Sequence, residues 1–83
     1  MSTLSALPNV GRVLEQLLTE AGITTPEQLR ATGAKETFVR VKLIDPTACI
    51  HMLYGIEGAI EGVKDSALPE STKRELKDFF RSL

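Results

Sequence analysis

An all-α domain of five helices, with a glycine-rich fourth helix buried at its centre, is predicted by three features of the 83-residue sequence. Apolar residues recur at helical spacing in 11–21 and again in 46–63. Helix start and stop signals (Gly22, Thr25-Pro26, Gly33, Asp45-Pro46 and Pro69) divide the chain into segments of helical length. Only one run, around Val39, Val41 and Leu43, alternates as a strand would, and a lone strand has nothing to pair with.

The first helix is expected over 11–21, with Val13, Leu14, Leu17, Leu18 and Ala21 on its apolar face and Gly22 closing it. Thr25-Pro26-Glu27-Gln28 reads as a capping box with proline at the first helical position, opening a short second helix that runs to residue 32 and buries Leu29. Gly33 ends that helix. The third segment, 34–44, is assigned to helix despite its β-branched residues, for want of a partner strand.

Asp45 is expected to cap a long fourth helix, 46–63, with Pro46 as its first residue. Cys49, Met52, Leu53, Ile56, Ile60 and Val63 form its main apolar stripe, and Gly55, Gly58, Ala59 and Gly62 form a second one beside it. A glycine inside a helix costs up to about 1 kcal/mol relative to alanine, so several in one helix imply a close approach by another backbone. That backbone is expected to belong to the same chain, giving a monomer; the alternative is a second copy packed at Gly55, Gly58 and Gly62. The fifth helix starts near Pro69 and lays Leu76, Phe79, Phe80 and Leu83 over the others as a lid, leaving Lys73, Arg74, Glu75, Lys77 and Asp78 solvated.

The totals bound the rest. A hydrophobic share of 42% and a charged share of 25% suit one globular domain over 1–83, with residues 1–6 loose. Three Phe, one Tyr and no Trp leave little for stacking on single-stranded nucleic acid. A net charge of −1 disfavours a domain that works mainly by neutralising phosphates. Cys49 and His51 are the sole residues of their kinds, too few for a zinc site, so no metal or cofactor is expected. Two residues apart on a helix, they also cannot form a catalytic dyad, and Cys49 is expected in the core. No nucleotide loop, nucleophile elbow or zinc-protease motif appears, and an enzyme is not expected. There is no signal-peptide pattern or membrane-length apolar run, and the unpaired cysteine suits a reducing cytoplasm.

LPNVGRVLEQLLTEAGITTPEQLRATGA, IDPTACIHMLYGIEGAIEGV and LPESTKRELKDFF, taken in order, resemble the C-terminal domain of the TfoX (Sxy) competence regulators from Leu7 to Phe80. The resemblance implies a five-helix fold related to helix-hairpin-helix modules. The family's regulatory role belongs to two-domain proteins, and the matched residues correspond to the second domain.

Two turns are the candidate contact sites. Leu7-Pro8-Asn9-Val10-Gly11 resembles the LPGVG turn of helix-hairpin-helix proteins, in which backbone N–H groups at a helix start hold a phosphate. Asn9 replaces a glycine there, a tolerated change because asparagine enters the left-handed region more readily than most residues. The second turn, around Gly33 and Ala34, is flanked by Arg30 and Lys35. Asn9, Val10, Gly11, Arg12, Arg30, Gly33, Ala34 and Lys35 are therefore the candidate partner- or phosphate-binding residues, with solvated basic residues around well-made helix ends as the alternative. The expected function is a non-enzymatic regulatory module that contacts a protein partner; weak, sequence-independent DNA binding through the two turns is the other reading.

Overall fold

The computed structural model describes residues 3–83. In chain order it holds a 3-10 turn at Leu4–Ala6, α1 (Arg12–Glu20), α2 (Pro26–Thr32), α3 (Ala34–Ile44), α4 (Ile50–Glu61), a second 3-10 turn at Asp65–Ala67 and α5 (Glu70–Arg81). Five α-helices and, among the described residues, no strand bear out the all-α reading. Among the described residues no helix is long and apolar enough to cross a membrane.

α3 and α4 pack against each other at the centre, with α1 and α2 laid on α3 and α5 laid on α4. α3 buries Ala34, Thr37, Phe38 and Val41, an i, i+3, i+4, i+7 set that only a helix can present to one side. The strand-like alternation was accidental: Val41 is buried while Leu43 is 81% exposed. The Thr37 hydroxyl is buried with no hydrogen-bond partner. Leu18, Ile23, Leu29, Phe38, Leu53 and Ile56 form the heart of the core, and Phe80 meets Phe38 with ring centroids 5.8 Å apart.

Several expectations are corrected. Residues 1 and 2 lie outside the described residues, but the rest of the segment expected to be loose is folded: Leu4 is fully buried, because the 3-10 turn drives it under α1. α4 begins at Ile50 and not at Pro46, because the Asp45 carboxylate accepts from the N–H and hydroxyl of Thr47 and closes a separate turn. Those two hydrogen bonds hold the Asp45 carboxyl below its ordinary value. Lys42 pins the same turn by donating to the carbonyls of Pro46 and Ala48 while its ammonium lies over Phe80. Cys49 is consequently the extended residue before α4, exposed and outside the core. The box at α2 is shifted by one residue: Thr25 caps Gln28 N–H as expected, while Gln28 reaches back to Thr24 N–H. α4 ends at Glu61, where Gly62 takes a left-handed conformation and Val63 N–H donates to the Gly58 carbonyl.

Candidate functional site

The turn before α1 is held by one side chain. Asn9 adopts φ 68°, the left-handed conformation its sequence position called for, and its amide then lies across α4. Nδ2 donates to the carbonyls of Gly55 (3.3 Å) and Val63 (3.0 Å), and Oδ1 accepts from the N–H of Asp65 (3.1 Å). Both Nδ2 protons and one acceptor site are spent inside the fold, so the Asn9 side chain is committed to structure.

The glycine stripe on α4 is the other half of this lock. A Cβ at position 58 would stand 2.5 Å from Asn9 Nδ2 and 2.7 Å from the Val63 carbonyl, closer than packed atoms come. At position 55 it would meet Asn9 Cβ at 3.5 Å, an ordinary contact. What approaches these two glycines is an asparagine side chain and the loop after α4, not a second helix; Gly62 serves instead as the helix cap.

The remaining candidate residues separate. Val10 is buried, Gly11 caps α1 through its backbone, and Arg12 is exposed. In the second turn Arg30 is exposed, Ala34 is buried, and Gly33 sits at φ 85°, ψ 160°, where it closes α2 and opens α3. Lys35 is already engaged, with its ammonium 2.8 Å from Glu75 on α5 and 5.7 Å from the centre of the Phe79 ring. This ion pair holds the Glu75 carboxyl below its ordinary value. The first turn is thus anchored on α4 and the second on α5, and no hydrogen bond joins them among the described residues.

Beside the second anchor Glu57 shares a proton with Glu61. That hydrogen bond, partial burial and the nearby charges of Glu61 and Glu75 push its carboxyl up to about 7. Among the described residues no group of three His, Cys, Asp or Glu side chains is arranged to hold a metal ion.

The concavity next to the Asn9 lock is an open groove of about 530 Å³ between the start of α1 and the first turns of α4. Leu14, Met52 and Gly55 line it, and Arg12, Val13 and His51 stand along it. Val13 is 69% exposed. The sequence had placed it on the apolar face of α1, where Leu14, Leu17 and Leu18 are indeed buried. At helical pitch it lies about 90° from the centre of the arc through Leu14, Leu17, Leu18 and Ala21, which is the edge of that stripe. That offset was the available signal for an apolar residue left facing solvent. His51 meets Tyr54 edge-on at 6.2 Å, beyond the groove's far wall, and Cys49 is at its rim.

Comparison with known proteins finds matches over nearly the whole chain. The family model of the TfoX C-terminal domain matches residues 1–80. Protein Sxy of Escherichia coli (strain K12) is 36% identical over 80 residues, a match that takes in 96% of this chain and 38% of Sxy. The chain therefore spans well under half of that relative. A triclinic crystal structure of an uncharacterized protein from Listeria monocytogenes superposes with a TM-score of 0.94 at 48% identity, covering 95% of this chain and 90% of that one. A tetragonal crystal structure of a Listeria monocytogenes protein of unknown function gives the same TM-score and identity, with coverages of 96% and 98%.

Proposed function

Since the chain belongs to the TfoX C-terminal domain family, we propose that it is a non-enzymatic interaction module of transcription or competence regulation, gripping a protein partner through the groove between α1 and α4. The observation that carries the reading is Val13, 69% exposed above an apolar concavity. Exposed apolar surface beside a concave, pre-formed site marks a contact surface more often than an isolated surface residue does. The Asn9 lock supports the same reading, because it fixes both walls of the groove before any partner arrives and so lowers the ordering cost of binding. Arg12 stands at the rim with no ion pair among the described residues, available to a partner's carboxylate.

The test is site-specific photo-crosslinking in the organism of origin, with a photoreactive residue placed at Val13 and, as a control, at Arg30. An adduct formed from position 13 and not from position 30, removed by protease and resistant to nuclease, is the expected result. Adducts from position 13 that nuclease removes, or no adduct at all, would overturn the reading.

A further inference from the structure

The groove does not stop at α4. His51 and Asp65, which line its far side, also line a second depression with Tyr54 and Lys73. Tyr54 and Lys73 in turn line a third, whose wall is the outward face of α5 with Arg74, Lys77 and Arg81. One surface channel therefore runs from Val13 across His51 and Tyr54 to the end of α5. Its two ends differ in chemistry. The α1 end is apolar, whereas the α5 end carries four cations against the two carboxylates of Glu70 and Asp78.

Among the described residues the only ion pairs are Lys35 with Glu75 and Arg40 with Glu36, so none of these four cations is neutralised by a carboxylate of its own chain. Spacing places residues 73, 74, 77 and 81 on one face of α5, and three of the four are exposed. A charge excess of this kind, facing a half-buried tyrosine and continuous with an apolar groove, is complementary to a segment with the opposite arrangement. A bare phosphate backbone suits it less well. It would leave the apolar end empty and approach a domain of net charge −1.

Resting on the reading that the α1–α4 groove holds a protein partner, we propose that the occupant is a peptide segment with apolar anchors at one end and acidic residues at the other. Its apolar side chains sit against Val13, Leu14 and Met52, and its carboxylates meet Lys73, Arg74, Lys77 and Arg81. An 18-residue helix, about 27 Å long at the usual 1.5 Å rise, fits within the longest dimension of the molecule, 34 Å.

The experiment is an NMR titration of the isotope-labelled full chain at low salt with three probes. These are an 18-residue synthetic peptide with leucines in one half and glutamates in the other, the same peptide with lysines for glutamates, and a short DNA duplex. The glutamate peptide is expected to shift resonances at both ends of the channel, at Val13 and Met52 and at Arg74 and Lys77. The double variant Arg74→Glu/Lys77→Glu should weaken it about tenfold, as reversing two exposed charges would, and should transfer preference to the lysine peptide. Arg74→Gln/Lys77→Gln, which neutralises without repelling, should give a smaller loss in the same direction. If both peptides bind equally and shift only the α1 end, the acidic half of the proposal is overturned while the groove reading stands. If neither peptide shifts either end at millimolar concentration, both fall. Tighter binding of the duplex than of the glutamate peptide on the α5 face would overturn the proposal in favour of nucleic acid.

Discussion

The turn before α1 and the turn between α2 and α3 look alike as sequence: each places a residue suited to positive φ just ahead of a helix with basic residues close by. In the structure they are built on different principles. At the first, Asn9 supplies the left-handed backbone and then uses its side chain to tie α4, the Val63 carbonyl and the Asp65 N–H together. At the second, Gly33 supplies only the bend, and the tertiary link is an exposed ion pair between Lys35 and Glu75. Sheltered hydrogen bonds that leave buried groups unsatisfied when broken contribute much more than a solvated ion pair does. Two turns of similar appearance should therefore differ widely in what they contribute to stability, and the difference can be pressed by mutation.

The largest effect is expected at Gly58. Its replacement by alanine drives a methyl group into the Asn9 amide and the Val63 carbonyl, and overpacking together with lost hydrogen bonds should cost about 3 kcal/mol. Gly55→Ala is the control. Its Cβ makes an ordinary contact, and the better helix propensity of alanine should hold the change to about 0.5 kcal/mol or less in either direction. Urea denaturation of the pair reads this directly, and equal losses would mean that Asn9 does not sit where the account puts it.

Gly33→Ala should follow, at about 1–2 kcal/mol, because φ 85°, ψ 160° is a conformation essentially reserved for glycine. The cost there is backbone strain alone, so Gly33→Asn should not restore stability, since the left-handed region that asparagine tolerates lies at ψ of about 47° and not at 160°. Thermal melts of the two variants check this.

Next comes a pH effect near the second anchor. The folded state holds the Glu57 proton up to about 7, whereas the unfolded chain releases it near 4.5. The stability due to this proton is complete below 4.5 and is lost as pH rises toward 7. Glu57→Gln should abolish that decline, seen as urea midpoints that stay level between pH 5 and pH 8 where the native protein's fall. The Glu75 carboxyl, shifted the other way by Lys35, acts only below its ordinary range and does not obscure the window. The smallest effect is expected from Lys35→Met, which keeps the apolar stem against Phe79 and removes only the exposed pair; its melting midpoint should be nearly unchanged.

The contrast between the turns also marks what could be read in advance. Helix number and order were legible because capping residues and glycines act locally: Thr25, Gly22 and Gly33 do in the structure what their chemistry dictates alone. The left-handed backbone at Asn9 was legible for the same reason. Its side-chain partners were not, since they lie 46 to 56 residues away and depend on how α4 and its following loop pack. The start of α4 was misplaced because Asp45-Pro46 fits a helix start and a side-chain-closed turn equally well, and Thr47 decides between them. The groove was half visible: Val13 at the edge of its stripe was a local signal, but the floor from Met52 and the continuation to α5 are products of tertiary packing.

By the three Asn9 hydrogen bonds the first turn is a structural lock that shapes the groove. Asn9→Gly tests it most directly, because glycine accepts φ 68° freely and removes only the side-chain hydrogen bonds. Urea denaturation should show a loss of about 2 kcal/mol, and amide exchange at Asp65, whose N–H donates to the Asn9 Oδ1, should quicken well beyond the global change. A variant as stable as the native chain, with unchanged exchange at Asp65, would contradict the lock and return the turn to the status of an exposed contact site.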